Sequence, residues 1–224
     1  LGTPTADRDE VCGIPLLRLH QPGTRGGRVL KRAFDLVFGG LLAVLATPLL
    51  LVLAGTIRLT EHAPALFRQR RVVASGRTAT MVKLRTVQGE PDPDRPQWTV
   101  EDGQCSRLGR WLRASHVDEL PQLWNVLRGD MSLVGPRPER PFFADRFAEV
   151  IPGYRDRERM PAGLTGWAQV HGYYGDTSIV DRVRFDNAYI ERASPWLDLV
   201  ILARTLPAAL SRRRKIVAQQ GEQP

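Results

Sequence analysis

Leu36–Ile57 reads LVFGGLLAVLATPLLLVLAGTI, 22 residues without a charge. As a helix rising about 1.5 Å per residue, the run is roughly 33 Å long, enough to cross about 30 Å of hydrocarbon. Core helices rarely stay uncharged over such a length, so the segment points to a membrane. Lys31 and Arg32 precede it, and Arg58, Arg68, Arg70 and Arg71 follow it. A spanning helix collects its basic excess on the cytoplasmic side alone; here both flanks are basic. Thr47-Pro48 lies near the middle, where proline removes a backbone donor and crowds the preceding turn. The Thr47 hydroxyl is placed to pair with a carbonyl freed by such a break. Together these features favour a re-entrant helix–break–helix that dips into one leaflet, with a kinked spanning helix as the alternative.

Around this segment the 224-residue chain has a globular composition, 42% hydrophobic and 25% charged. That fits one domain with a small appendage. The mean hydropathy of −0.25 argues against a bundle of membrane helices, but as an average it hides a single one. With 32 basic against 24 acidic residues the net charge is +8. Such a surplus suits a polyanion: nucleic acid, an anionic membrane surface or phosphorylated substrates. Among the basic residues only Lys31, Lys83 and Lys215 are lysines. Arginine forks match phosphate oxygens, although a GC-rich genome accounts for most of that bias. Cys12 and Cys105 make neither a disulfide framework nor a metal cluster.

Residues 1–27, with Pro4, Pro15, Pro22 and repeated glycines, read as a linker or disordered start without the pattern of a signal peptide. The expected division is this linker, a membrane helix over 28–60, a catalytic domain over 61–211, and a basic then flexible tail over 212–224. Residues 64–87 read as a β-hairpin turning at Ser75–Arg77, with Met81–Val87 as its second strand. A proline-rich acidic loop covers 88–106. Leu108, Trp111 and Leu112 mark an amphipathic helix. A second helix is expected over Asp118–Arg128 with Leu120, Leu123, Trp124 and Leu127 on its buried face. A loop from Gly129 to Pro141 follows, then a helix over Phe142–Val150. Arg155–Arg159 is a charged run of the kind that usually forms a solvated face. Pro161–Gly172 reads as glycine-punctuated loop and short strand. Helices over Ile179–Arg192 and Trp196–Ser211 complete an α+β, predominantly helical chain. The last of them, ending in Arg212–Lys215, suits either the membrane interface or the core.

The candidate chemistry starts at Asp118-Glu119. An ionised Asp can attack phosphorus, and a neighbouring Glu can hold Mg²⁺. Taken alone, acidic residues at a helix start are ordinary capping chemistry. The neighbourhood lifts the pair above that reading. Arg113 precedes it, and Gly135-Pro136-Arg137-Pro138 follows with a guanidinium presented rigidly between two prolines. Lys83 and Arg85 can approach from the hairpin. Carboxylates, cations and a membrane anchor together suit a diphosphate donor and a lipid acceptor.

The string DELPQLWNVLRGDMSLVGPRP, Asp118–Pro138, resembles the bacterial monotopic polyprenyl-phosphate sugar-1-phosphate transferases. KRAFD (Lys31–Asp35), KLRT (Lys83–Thr86), GLTGWAQV (Gly163–Val170) and YIERASPWLDLVIL (Tyr189–Leu202) extend the resemblance over roughly residues 28–210. It implies that Asp118 attacks the β-phosphate of a UDP-sugar, with a hexose as the expected sugar, and expels UMP. A polyprenyl phosphate then takes the sugar phosphate, the first step of exopolysaccharide or glycoconjugate assembly. It also implies that Glu119 holds Mg²⁺, while Arg113 and Arg137, with Lys83 and Arg85, hold phosphate oxygens. Thr47-Pro48 stands where the family breaks its re-entrant helix at Ser-Pro.

The implied setting is the cytoplasmic face of the bacterial inner membrane, with interfacial amphipathic helices beside the anchor. The implied partners are a UDP-sugar, polyprenyl phosphate and membrane lipid, with a homo-oligomer allowed and nucleic acid not expected. His116, His171 and Ala193 depart from the usual family residues. GYYGDTS (Gly172–Ser178) is similar to members that use UDP-glucose or UDP-galactose. With Leu1 at its start, the chain suits either the catalytic portion of a longer protein or a compact member. Two competing readings are a non-catalytic membrane-surface scaffold, with the acidic pair only a cap, and a basic nucleic-acid-binding protein. The latter lacks a recognisable nucleic-acid motif.

Overall fold

A 37-residue helix, α1 (Arg25–Glu61), organises the molecule. The structure, a computed structural model, describes residues 10–11, 14–15, 25–87, 105–175, 177–205 and 207–208. Of the acidic loop expected over 88–106, residues 88–104 lie outside the described residues, as does the basic tail expected over 212–224. Two short strands, β1 (Glu10–Val11) and β2 (Ile14–Pro15), pair antiparallel within the stretch read as a linker. At about 1.5 Å per residue α1 is roughly 55 Å long. It runs helical through Pro48, so the separation into two helices expected at Thr47-Pro48 does not occur. Proline withholds a donor from the Val44 carbonyl, but Thr47 Oγ1 donates at 2.7 Å to Ala43 O instead. The hydroxyl therefore serves the neighbouring carbonyl, not the one that Pro48 frees.

One stripe of α1 faces the rest of the protein. Asp35, Gly39, Leu53 and Ile57 are buried, and Ala43, Ala46 and Leu50 are half-buried between them. Their spacing in steps of three and four is the helix's own repeat. The opposite side exposes Val37, Leu41, Val44, Leu45, Leu51 and Val52. The start of α1 is clamped by the KRAFD segment. Lys31 Nζ meets Asp198 at 2.8 Å, and Asp198 also accepts from Tyr189 Oη at 2.6 Å. Arg32 donates to Val126 O and Leu127 O, both at 2.6 Å. Asp35 accepts from Ser132 Oγ and the Leu133 amide at 2.9 and 3.0 Å. The basic pair at this end of the apolar run thus holds the protein together.

The hairpin forms as expected from β3 (Leu66–Ala74) and β4 (Arg77–Leu84). Its turn places Ser75 and Gly76 at positive φ, 41° and 73°. The second strand stops at Leu84, short of Val87, which instead bridges Cys105. α2 (Arg107–Ser115) starts at Ser106, whose hydroxyl accepts from the Gly109 amide at 2.9 Å.

The helix expected over Asp118–Arg128 is two elements: a 3₁₀ helix over Val117–Gln122 and α3 (Leu123–Arg128). Pro121 disfavours α geometry in the residue before it, and the opening turns tighten to three residues per turn. The tighter winding rotates the helical turn after it. Trp124, expected inside, is 64% exposed, while Leu123 and Val126 enter the core.

The stretch read as loop after Gly129 contains β5 (Ser132–Val134), which pairs parallel with β6 (Gly163–Thr165). Between them lie α4 (Pro141–Val150) and a 3₁₀ helix over Tyr154–Arg159. Within this charged run Arg155 and Asp156 are exposed, as expected of a solvated face, but Arg157 is buried. α5 (Trp167–Val170), α6 (Ile179–Arg192) and a final helix α7 over 195–205 follow. The fold is α+β and mainly helical, as its patterning implied. Val73, Met81, Leu123, Val126, Leu133, Val134, Tyr189, Ile190 and Ile201 meet in the main core.

Candidate active site

Asp118 and Glu119 are carried by the 3₁₀ helix against β4. The Asn125 side chain fixes that packing. Its Nδ2 donates to Thr80 O at 2.9 Å, and its Oδ1 accepts from the Val82 amide at 3.3 Å. A side-chain amide thus continues the strand's hydrogen-bonding edge, setting α3 and the preceding acidic pair beside Lys83. Asn125 lies inside the long motif, but its pairing with a strand 43 residues away has no local signature in sequence.

Lys83 Nζ lies 2.6 Å from Glu119 Oε1. Arg137 binds the same carboxylate with two nitrogens, Nη2 to Oε1 at 2.7 Å and Nη1 to Oε2 at 3.1 Å. Burial by itself would push the Glu119 carboxyl up, but Arg137 and Lys83 hold it well below the usual carboxylate range. Asp118 is in the opposite condition. Burial and then the Glu119 charge push it up to about 6, against the pull of Lys83, Arg113 and Arg137. Both acids are 7% exposed. One carboxylate is locked as an anion and its neighbour is poised to titrate, a division of environments found where acids have distinct tasks. A simple helix cap has neither this burial nor these partners.

The expected residues are not all brought together. Asp118, Glu119, Lys83 and Arg137 form one cluster, and Arg113 stands close enough for its charge to act on Asp118. The Arg113 side chain also donates to Cys105 Sγ at 3.6 Å. Arg85 is directed elsewhere: its Nε donates to Pro64 O at 2.9 Å, beyond the strand end. Arg85 therefore ties the base of the hairpin, and the phosphate-binding role expected for it is not supported by that contact.

At Gly135 the protein backbone comes into close contact with itself. A Cβ there would collide with Pro161 O, and one at Gly163 would collide with the Gly135 amide. Glycine at these two positions lets β5 and β6 meet directly below the Arg137 loop.

Sequence reasoning missed a second layer of charge behind this loop. Glu139 accepts from Arg182 Nη1 at 2.6 Å, and Arg71 Nη1 donates to Pro138 O at 2.9 Å. Arg157 donates to Asp186 and to Arg137 O. Of the unusual histidines, His171 sets Nδ1 against Trp167 O at 2.8 Å and packs on Phe185. His116 takes a left-handed conformation with φ 58°, just ahead of the acidic pair. Its ring lies edge-on to Tyr174 at 6.2 Å. Ala193 ends α6 and packs against the main core.

Residues 26–212 match the family model described as bacterial sugar transferase. The chain belongs to that family. A UDP-glucose:undecaprenyl-phosphate glucose-1-phosphate transferase of Caulobacter vibrioides is 46% identical over 186 residues, covering 81% of this chain and 70% of its own. A protein of the same description from Escherichia coli is 36% identical, covering 88% of this chain and 44% of its own. A UDP-N-acetylgalactosamine-undecaprenyl-phosphate N-acetylgalactosaminephosphotransferase of Aeromonas hydrophila is 37% identical, covering 81% and 44%. The chain thus spans less than half the length of the latter two relatives. Within the bacterial sugar transferase family, the enzyme class of these relatives is sugar-1-phosphate transfer to undecaprenyl phosphate.

Proposed function

We propose that the chain transfers a sugar-1-phosphate from a UDP-sugar to a polyprenyl phosphate and releases UMP, through a covalent intermediate on Asp118. The observation that carries this reading is the asymmetric acid pair: Asp118 raised to about 6 beside a Glu119 locked by Lys83 and Arg137. An ionised Asp118 oxygen attacks the β-phosphorus, the bond from that phosphorus to the bridging oxygen breaks, and UMP departs. A phosphate oxygen of the polyprenyl phosphate then attacks the same phosphorus. The Asp118 carboxylate is released, and the product is a polyprenyl diphosphate sugar. Lys83, Arg113 and Arg137 supply three positive charges against the two of the acid pair, leaving attraction for an anionic diphosphate.

Mg²⁺ takes one or two carboxylates and completes its octahedron with phosphate oxygens and water. Asp118 and Glu119 fit that requirement. No hydrogen bond among the described residues reaches the Asp118 carboxylate, and Glu119 Oε2 accepts only one, from Arg137. No group of three or more His, Cys, Asp or Glu side chains gathers among the described residues, so further ligands would come from the diphosphate and water. Glu119 would hold the ion, which when bound neutralises charge on the diphosphate.

The reading places α1 in the cytoplasmic leaflet of the inner membrane, a continuous helix through Pro48 with both of its ends on the cytoplasmic side. In its support, the stripe from Asp35 to Ile57 packs on the catalytic domain along both halves of the apolar run. A transverse helix would draw that domain into hydrocarbon. The exposed Trp124 and Trp196 suit the same interface. In this reading the catalytic domain covers residues 61–211, and residues 212–224 are a basic tail.

The test is UMP release by purified protein given Mg²⁺, polyprenyl phosphate and a panel of UDP-hexoses and UDP-N-acetylhexosamines. Release with at least one donor, abolished in Asp118→Asn, is the expected result. Equal release by wild type and Asp118→Asn would remove Asp118 from the reaction.

A further inference from the structure

The loop that carries Arg137 has all four of its main-chain carbonyls engaged. Pro136 O accepts from the Gly163 amide at 2.8 Å, and Glu139 O accepts from the Val72 amide at 2.8 Å. Pro138 O accepts from Arg71. Arg137 O accepts from Arg157 Nη2 at 2.8 Å. Buried carbonyls need donors, but a buried guanidinium is an unusual source.

Arg157 is 4% exposed and its partner Asp186 is 2% exposed. Its Nε and Nη2 reach Asp186 Oδ2 at 2.9 and 2.6 Å, and its Nη1 reaches Tyr154 Oη at 3.2 Å. With the Arg137 carbonyl added, four of its five N–H groups have partners. That leaves little capacity for substrate. Removing two charges from water is costly, and a hydrophobic filling would stabilise this position as well. What the fork adds is direction. Pro138 restricts the backbone of the residue before it, Arg157 fixes that residue's carbonyl, and the Arg137 side chain leaves the same residue toward Glu119.

We propose that Arg157, oriented by Asp186, is a positioning residue for the transfer reaction: it holds the Arg137 main chain so that the Arg137 fork meets Glu119 and the diphosphate. The inference rests on the proposed function of the acid pair and Arg137. Glu139 has hydrogen-bond partners of its own, Arg182 donating to its carboxylate and the Val72 amide to its carbonyl, so the main-chain hydrogen bond that Arg157 supplies to this loop is the one to residue 137.

The test is a double-mutant cycle on UMP release between Arg157→Lys and Arg137→Lys. Lysine keeps a cation for Asp186 but is a point donor, unable to fork between Asp186 and the carbonyl. Arg157→Lys is expected to lower kcat about tenfold. In the Arg137→Lys background it should lower kcat by less than about twofold. A purely structural role would instead lower thermal stability and slow both backgrounds by the same factor, which overturns the proposal. So does an Arg157→Lys enzyme with wild-type kcat. Should Arg157→Lys fail to fold, Asp186→Asn, which leaves the guanidinium present but unoriented, runs the same cycle with the same criteria. Arg137→Lys alone separates the two levels: wild-type UMP release in that variant would overturn the site reading and the positioning role with it. Slow release in Arg137→Lys, with an additive Arg157 effect, would overturn the positioning role alone.

Discussion

Among single residues the chemistry turns on Asp118. Its folded pKa of about 6 means that the nucleophile is mostly protonated below that pH and ionised above it. UMP release should therefore rise with pH as Asp118 ionises and then level off, while Glu119 stays ionised throughout; a rate profile in mixed buffers reads this directly, and bound Mg²⁺ would draw the midpoint below the metal-free value. A rate that falls as the pH rises toward 7 would contradict the assignment. The same shift has a consequence for stability. Between about pH 4 and 6 the folded state retains a proton that the unfolded chain has lost, so stability falls as pH rises through that window. Asp118→Asn should stabilise the protein at pH 7 by on the order of 1–3 kcal/mol, the gain fading below about pH 4. Thermal unfolding of both proteins across pH checks the sign. Asp118, Glu119 and Arg137 were legible because they share one short string, and Lys83 because it sits in a strand motif. Arg157 was not legible. A charged run looks solvated until Asp186, 29 residues on, turns it inward.

Among the elements, the sequence pattern located α2, α4 and α6 closely and found the hairpin, although its second strand runs Arg77–Leu84 and not Met81–Val87. It failed where geometry departed from α. The 3₁₀ winding at Pro121 rotated Trp124 out of the core, and a three-residue parallel strand such as β5 is too short for a period to show. β5 and β6 depend on glycine because their backbones meet without room for a Cβ. Gly163→Ala should destabilise the protein by about 1–3 kcal/mol or more through overpacking and slow UMP release by displacing the Arg137 loop. Unfolding in detergent measures the first effect and an activity assay the second. A substitution without effect on either would mean that the strand contact does not support the site.

For the whole molecule, the decisive relation is between α1 and the domain it carries. The apolar run announced a membrane from sequence, yet only the packed structure distinguishes its two faces. One stripe meets Leu84, Leu112 and the main core, and the other exposes leucines and valines. Cysteines introduced singly at Gly26 and Arg68, on either side of the run, should both resist an impermeant reagent applied from outside intact cells and react after lysis. Labelling of one from outside would establish a crossing helix. The positive net charge of the chain is likewise divided only by structure. Lys31 and Arg32 secure the helix base, while Lys83, Arg113 and Arg137 gather around the acid pair.

Whether Asp118 carries the sugar phosphate can be read from the intact mass of the protein. After incubation with Mg²⁺ and a UDP-sugar that supports UMP release, without polyprenyl phosphate, wild type should gain the mass of one sugar phosphate. That adduct should disappear when polyprenyl phosphate is added, and Asp118→Asn should never acquire it. An adduct of the same mass on Asp118→Asn, or UMP release from wild type through rapid mixing with no adduct at any time, would rule out the covalent role of Asp118.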